Sequence, residues 1–368
     1  LVRELCQLVQ VVSHSRQAAQ QCVLLRVSVF YEGQDDLADI LAVSICSVCY
    51  NTEKFVNFYI LDCGICAFNK KLLESLKSKF NNFSLEFIPV DLTQFHHLTP
   101  WCEKFWDCYA RLIIPELKPD VKKAVYLDTD ILALDDISKL WNEPLNGYAF
   151  AAAADIGYGD FFFNNCVGNL NVSPRHIYAN AGVLLLDCEK WRKDNICQKL
   201  LQLADQYKQH IHIICEDILS IYFSENQYRL LPARYNLTDR DNLIQKTVAP
   251  AIDDNYLQEE WKHIILQHLS PGKAWKKAYN SETFRELKHF DSFWFFAEMT
   301  PFYAGLQKKF EYYNSLEATD RELSKRENQE RKDIIRIFGV PVITLYKLGN
   351  KKRYKLFNLL TIMTVKGK

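Results

Sequence analysis

Short apolar runs and longer helical patterns take turns along this chain. Arg26–Tyr31, Val56–Leu61 and Leu85–Val90 are rich in β-branched and aromatic residues and read as strands. Between them, Leu37–Tyr50 and Asn69–Phe80 have helical spacing. The second sets Leu72, Leu73 and Leu76 on one face, opposite Lys and Glu. This alternation predicts an α/β domain: a mostly parallel central sheet flanked by helices, with right-handed connections. An aromatic helix is expected between Thr99 and Leu117, then a buried strand at Ala124–Leu127 and a second apolar run at Ile131–Leu134. Further strands are expected within Trp141–Ala154 and over Val183–Asp187, Arg229–Asn236 and Ile264–His268. Helices are expected at Glu189–Tyr207 and Ile218–Phe223.

The edges of the chain read differently. Residues 1–25 form an N-terminal extension with Leu5, Leu8 and Val12 roughly at helical spacing. Residues 26–280 form the main domain. Residues 281–333 form a helical extension ending in a mixed-charge linker. From Ile334 to Lys368 there are eight Lys or Arg and no Asp or Glu, interleaved with Leu, Ile, Phe and Tyr. That tail reads as a membrane-surface anchor. Residues 155–175, rich in Gly, Asn and aromatics, read as a long functional loop.

Composition narrows the class. The 368 residues, 48% apolar, support a large core. The formal net charge is zero, which gives no basis for a nucleic-acid partner. Twelve cysteines are scattered, some inside apolar helical runs, which points to a reducing compartment. No uncharged apolar run approaches the roughly 20 residues of a membrane-spanning helix.

The candidate chemistry sits at strand ends, where open α/β sheets bind ligands. Asp35, Asp36, Asp62, Asp128 and Asp130 all lie at such ends. Two carboxylates beside a buried strand cost several kcal/mol unless neutralised, and a divalent cation with oxygen ligands does that. Arg111, inside an apolar run, calls for an anionic partner: a nearby Asp, or a carboxylate or phosphate of the site. Gly182 suggests a close backbone approach. His268, at a strand end before Pro271, Gly272 and Lys273, suits an anion site with a metal.

These pieces resemble the family 8 retaining glycosyltransferases, especially the lipopolysaccharide core glucosyl- and galactosyltransferases. The matching residues are Leu41–Ser47 with Asn51-Thr52, Tyr59–Asp62 with Gly64-Ile65, Tyr109-Ala-Arg111-Leu112 and Val125-Tyr-Leu-Asp128-Thr-Asp130. Asn180-Ala-Gly182, Trp191-Arg192, Glu216-Asp217, and His268 with Gly272, Lys273 and Trp275 follow in the family's order. The resemblance implies a nucleotide-diphospho-sugar transferase fold with a helical C-terminal extension. It also implies UDP-glucose or UDP-galactose as donor, Mn²⁺ (or Mg²⁺) as cofactor and a lipid-linked oligosaccharide as acceptor. The protein would then work in the cytoplasm, on the inner face of the membrane. By the same resemblance Asp128, Asp130 and His268 hold the metal. Gln34, Asp35 and Asp36 lie near the uridine. Arg111, Thr129, Asn180 and Gly182 line the donor, Ser270, Gly272 and Lys273 meet the diphosphate, and Glu216 and Asp217 are the catalytic candidates.

The chain departs from the family at three places, one of them the turn after His268, which is one residue shorter than the family's form. It reads Asp36-Leu37 where the family carries Asn-Tyr, and Cys215-Glu216-Asp217 where the family reads Asp-Gln-Asp. Those departures keep a non-catalytic nucleotide-sugar binder as the alternative. Cys46-x-x-Cys49 and Cys63-x-x-Cys66 also resemble a zinc ribbon, although the first pair falls inside a helix.

Overall fold

The structure is a computed structural model. It describes residues 26–100, 105–155, 172–173, 175–238, 252–270, 272–276, 289–329, 331–337, 340–348, 351–356 and 360–366, from 317 onward as backbone. The expected N-terminal helix, most of the 155–175 loop and Pro271 lie outside the described residues. The chain divides into two units. One runs to Ala274 and takes in the chain from 289 to Leu306. The other comprises Trp275, Lys276 and the chain from Gln307 on.

In the first unit, β1 (Val27–Gly33), β2 (Val56–Asp62), β3 (Phe83–Pro89), β4 (Lys123–Leu127), β6 (Phe150–Ala153), β7 (Val183–Asp187) and β8 (Arg229–Leu231) form one sheet. Its order is β3-β2-β1-β4-β7-β6-β8. β1, β2, β3 and β4 run parallel, and β7 is antiparallel to both neighbours. Almost all of β1 is buried, as a strand covered on both faces must be. A smaller sheet, β5-β10-β9, joins Ile131–Ala133, Leu266–His268 and Leu237–Thr238.

The helices are α1 (Ala38–Asn51), α2 (Ala67–Glu74), α3 (Ile114–Leu117), α4 (Ser138–Trp141), α5 (Cys188–Lys193), α6 (Ile196–Gln206), α7 (Ile214–Tyr222), α8 (Asp254–Lys262), α9 (Phe290–Ala297) and α10 (Tyr303–Gln329). Tyr31, Phe30, Tyr109, Tyr126 and Trp191 are fully buried in the core. Each such side chain contributes about 1.5–3 kcal/mol by leaving water. α1 is buried on most sides and still carries a polar stripe. Ser44 Oγ donates to the Ile131 carbonyl at 2.6 Å, the Ala133 N–H donates to Ser47 Oγ at 2.9 Å, and Asn51 Nδ2 donates to the Ala133 carbonyl at 2.8 Å. These side chains satisfy the backbone of β5 and fix the strand that follows Asp130.

Several elements differ from the pattern reading, each for a local reason. The Glu189–Tyr207 helix is two helices, broken where Asn195 takes a left-handed conformation (φ 53°) that asparagine tolerates. Within Trp141–Ala154 only Phe150–Ala153 is strand, because α4 occupies the start. The aromatic segment is a 3₁₀ helix, Asp107–Ile113, running into α3. Arg229–Asn236 is not one strand: Pro232 interrupts it, and the chain crosses through a 3₁₀ turn into β9 of the other sheet. Cys215-Glu216-Asp217 does not precede a helix but forms its first turns.

The second unit carries α10 from Gln307 on and a four-stranded antiparallel sheet. Its strands are β11 (Arg331–Ile337), β12 (Val340–Leu348), β13 (Lys351–Leu356) and β14 (Leu360–Lys366), in that order. The basic apolar tail is therefore a β-meander, with Lys351, Lys352, Arg353 and Lys355 all on β13. Among the described residues no helix is long and apolar enough to cross a membrane.

Candidate functional site

Strand pairing assembles the site. β4 lies antiparallel to β7 with Leu127 opposite Val183, so Asp128 and Gly182 become neighbours, and the Asp128 N–H donates to the Gly182 carbonyl at 2.8 Å. β10 lies antiparallel to β5 with His268 opposite Ile131, so His268 arrives beside Asp130. The result is one cluster: ligand atoms of Asp128, Asp130 and His268 all lie within 4.8 Å of one another. His268 Nε2 is 3.3 Å from Asp130 Oδ1 and 3.9 Å from Asp128 Oδ2.

Two cations brace the two acids. Arg111 Nη1 lies 2.8 Å from Asp128 Oδ1, and Lys273 Nζ pairs with Asp130 Oδ2. Burial pushes the Asp130 carboxyl up, but Lys273 and His268 outweigh it and hold it well below the usual carboxylate range. Burial likewise works against a charged His268, yet Asp130 and Asp128 raise its pKa overall. The Tyr126 hydroxyl donates to Asp128 Oδ1 at 2.7 Å.

A metal fits this donor set. Two carboxylates and an imidazole form a mixed oxygen–nitrogen set of the kind transition-metal ions accept. The separations of 3.3 and 3.9 Å fall between those of adjacent and opposite ligands on an octahedral ion with bonds of about 2.1 Å. Gly182 leaves the space: a Cβ there would meet His268 Cε1 at 2.6 Å and Nδ1 at 2.9 Å. The close approach inferred from the sequence is the approach of this imidazole.

Arg111 is spent on the protein. Besides Asp128, its Nη2 lies 3.1 Å from Glu32 Oε2, its Nη1 donates to the Ala181 carbonyl at 3.3 Å and its Nε to the Cys108 carbonyl at 3.2 Å. Its guanidinium also lies over the Tyr126 ring, 4.6 Å from the centroid. Of the sequence-based alternatives, the nearby Asp is met by Asp128. Glu32 was missed, although it too closes a buried strand. Burial raises the Glu32 carboxyl, Arg111 lowers it only in part, and it ends at about 8.

The other sequence candidates divide. Asn180 is at the site: Gly182 N–H donates to its Oδ1 at 2.9 Å and Asn236 Nδ2 to the same oxygen at 2.7 Å. Asn236, unforeseen, also meets His268 Nδ1 at 3.1 Å. Glu216 Oε1 accepts from the Ala181 N–H at 3.4 Å. Burial pushes its carboxyl up to about 8, against the pull of Arg111. Ser270 closes the turn after β10 through its N–H to the His268 carbonyl, and Gly272 is buried between it and Lys273. Thr129 is half-buried between the acids. Gln34 donates to the Asp107 carboxylate. Asp35 is exposed and caps the neighbouring loop, accepting from Cys66 N–H at 2.8 Å and Asn69 Nδ2 at 2.9 Å, while Asp36 is exposed.

Asp217 is a brace. Its carboxylate accepts from the Tyr178 hydroxyl at 2.6 Å and from the backbone N–H groups of His212 at 2.6 Å and Ile213 at 2.9 Å. Asp217→Ala strands those donors, and a loss of about 2–3 kcal/mol follows. The thermal midpoint falls clearly, while the KM for donor stays within about twofold. A larger change in KM than in stability would reverse this assignment. Cys215 turns inward, its Sγ donating to the Cys108 carbonyl at 3.0 Å. Cys46 and Cys49 are buried in α1, and among the described residues no cysteines converge into a metal cluster.

The mostly parallel sheet flanked by helices, with the acidic turn at its strand ends, has a nucleotide-sugar transferase architecture. The sequence profile of glycosyl transferase family 8 matches residues 28–279, and the chain belongs to that family. It is 30% identical over 235 residues to general stress protein A of Bacillus subtilis, covering 63% of this chain and 79% of that protein. It is 30% identical over 260 residues to a putative glycosyltransferase of Haemophilus influenzae, covering 68% and 73%. Among solved structures, the galactosyltransferase LgtC in complex with donor and acceptor sugar analogues has a TM-score of 0.62 at 23% identity, covering 75% of this chain and 96% of that one. The bifunctional glycosyltransferase WbbM in its apo form has a TM-score of 0.63 at 22% identity, covering 77% of this chain and 52% of that one. These two share the fold. The protein is a glycosyltransferase.

Proposed function

We propose that this chain is a retaining hexosyltransferase. It moves glucose or galactose from UDP-glucose or UDP-galactose to a lipid-linked oligosaccharide of the lipopolysaccharide core type, and uses Mn²⁺, with Mg²⁺ as the alternative. The observation that carries the reading is the convergence of Asp128, Asp130 and His268, with Lys273 and Arg111 compensating the charge. A divalent ion held by those three side chains supplies Lewis-acid stabilisation of the departing diphosphate. Lys273 adds a second positive charge at the same oxygens. The turn at Gly272 offers its backbone N–H to them. Arg111 pairs with Asp128 and aims it. LgtC, which shares this fold, was solved in complex with donor and acceptor sugar analogues, as a sugar transferase would bind them.

The test is release of UDP from UDP-glucose and from UDP-galactose with Mn²⁺, followed by mass analysis of the product. Binding of both donors without release from either would favour a non-catalytic binder.

Glu216 faces the donor sugar in this reading. Its carboxyl, pushed up to about 8, is neutral at pH 7 and donates a hydrogen bond as an amide would. Glu216→Gln therefore keeps activity within about tenfold, about 1.4 kcal/mol of barrier. It also removes any loss of activity that the wild type shows as pH rises through 8. The acceptor attacks on the face the diphosphate leaves, and the leaving phosphate takes its proton. Trapping a glycosyl–Glu216 adduct would sink this step.

The β11–β14 meander with its basic β13 carries the acceptor side of the proposal, docking at the cytoplasmic face of the membrane. Removing residues 331–368 releases the protein from anionic vesicles in co-sedimentation. Unchanged binding refutes the docking.

A further inference from the structure

His268 can offer a lone pair from Nε2 only if its other nitrogen carries the proton. The structure contains a chain of side chains that decides this. His268 Nδ1 meets Asn236 Oδ1 at 3.1 Å, Asn236 Nδ2 donates to Asn180 Oδ1 at 2.7 Å, and Asn180 Nδ2 donates to Asp155 Oδ2 at 2.7 Å. All four residues are buried, with Asp155 6% exposed.

An asparagine amide is reversible in principle, so such a chain needs a fixed pole. Asn180 has two. The Gly182 N–H, a backbone donor that cannot turn round, points at Asn180 Oδ1 at 2.9 Å. On the other side stands a carboxylate, which accepts only. Both demand the same orientation: oxygen toward Gly182, amide nitrogen toward Asp155. With Asn180 set, Asn236 must present its nitrogen to Asn180 and its oxygen to His268. Nδ1 then keeps a proton, and Nε2, which shares a proton with Asp130 at 3.3 Å while no metal is bound, is the nitrogen left to a metal. Asp155 itself is held at the end of β6, its N–H donating to the Tyr178 carbonyl at 2.8 Å beside the Ala154–Ala179 bridge.

We propose that Asp155 is a positioning residue: through Asn180 and Asn236 it fixes the tautomer of His268 and so prepares Nε2 as a metal ligand. This rests on the reading of Asp128, Asp130 and His268 as the metal site. Partners of this kind behind a metal-binding histidine are worth about 10–100-fold in metal affinity.

Nitrogen-15 NMR of the protein loaded with diamagnetic Zn²⁺, which takes the place of the proton between Nε2 and Asp130, reports which nitrogen of His268 keeps its proton. The wild type shows Nδ1–H. Asp155→Ala shifts the population toward Nε2–H and weakens Mn²⁺ binding, measured with Mn²⁺ alone by electron paramagnetic resonance, by about tenfold. Asp155→Asn restores both, because its amide oxygen can still accept from Asn180. If Asp155→Ala does not fold, Asn236 serves. Asn236→Leu loses the tautomer preference and Asn236→Asp keeps it, since a carboxylate still accepts from Nδ1. The proposal is overturned by a wild-type Nε2–H tautomer. It is also overturned if Asp155→Ala leaves tautomer and affinity within twofold, if Asp155→Asn is as impaired as Asp155→Ala, or if Asn236→Leu keeps the preference. Failure of the wild type to bind either ion would overturn the metal reading itself; the chain of asparagines is then tested in the metal-free protein with the ring charged, where the wild-type Nδ1–H is protected from exchange and Asp155→Ala exposes it.

Discussion

Asp130→Asn lowers turnover of the UDP-sugar by at least about 10³-fold, about 4 kcal/mol of barrier. The substitution keeps shape and removes one charge. Asp130 has two cationic neighbours, Lys273 and His268, and both lose their partner at once. A bound cation would then meet one carboxylate instead of two, so Mn²⁺ affinity falls along with turnover. The fold stays. The Asp130 carbonyl still accepts from the Leu269 N–H at 2.9 Å, and β5 is still held by Ser44 and Ser47 of α1. A pH dependence separates this from general damage. The Asp130 carboxyl is held well below its ordinary value of 3.8, so in the metal-free wild type its contribution to stability is present above about pH 4 and is lost as pH falls further. The Asn variant lacks that contribution, and its thermal midpoint changes less with pH in the acid range. Activity within tenfold of wild type would sink the metal reading of the cluster.

The acidic pair was legible because it obeys a local rule. A buried strand ends, two carboxylates follow, and the next strand begins one residue later. Gly182 and His268 were legible for similar reasons, a glycine ahead of a buried strand and a histidine at the end of one. Asn236 was not. Its role arises because Pro232 breaks a strand and sends the chain to a second sheet, where Leu237 pairs with Gln267. Nothing in the apolar pattern of residues 229–236 marks that crossing. Arg111 shows the same limit. The sequence says that a buried arginine needs an acid, but only the parallel pairing of β1 with β4 says that the acids are Glu32 and Asp128. The tail's backbone was not legible, because alternating basic and apolar residues satisfy both an amphipathic helix and a meander. Pairing of β13 with both neighbours settles its backbone.

Gly182→Ala is the second large effect, and its cause is steric. Gly182 is not among the residues with a left-handed backbone, so alanine meets no torsional strain there. What it meets is the imidazole: the new methyl would sit 2.6 Å from His268 Cε1 and 2.9 Å from Nδ1. Carbon atoms in contact lie about 3.5–4.0 Å apart, so one side has to move. The backbone side is fixed, because the Gly182 carbonyl takes the Asp128 N–H and its own N–H donates to Asn180. The ring therefore moves, away from Asn236 and out of line with Asp130. Mn²⁺ affinity falls by roughly 10–100-fold, the range for losing the support of a metal-bound histidine. Turnover at fixed Mn²⁺ falls with it and is partly recovered by raising the metal concentration. That recovery distinguishes a displaced ligand from a collapsed site. Asp130→Asn, which removes a charge from the ligand set rather than displacing the ring, recovers less. Unchanged Mn²⁺ affinity in Gly182→Ala would mean that His268 is not a ligand.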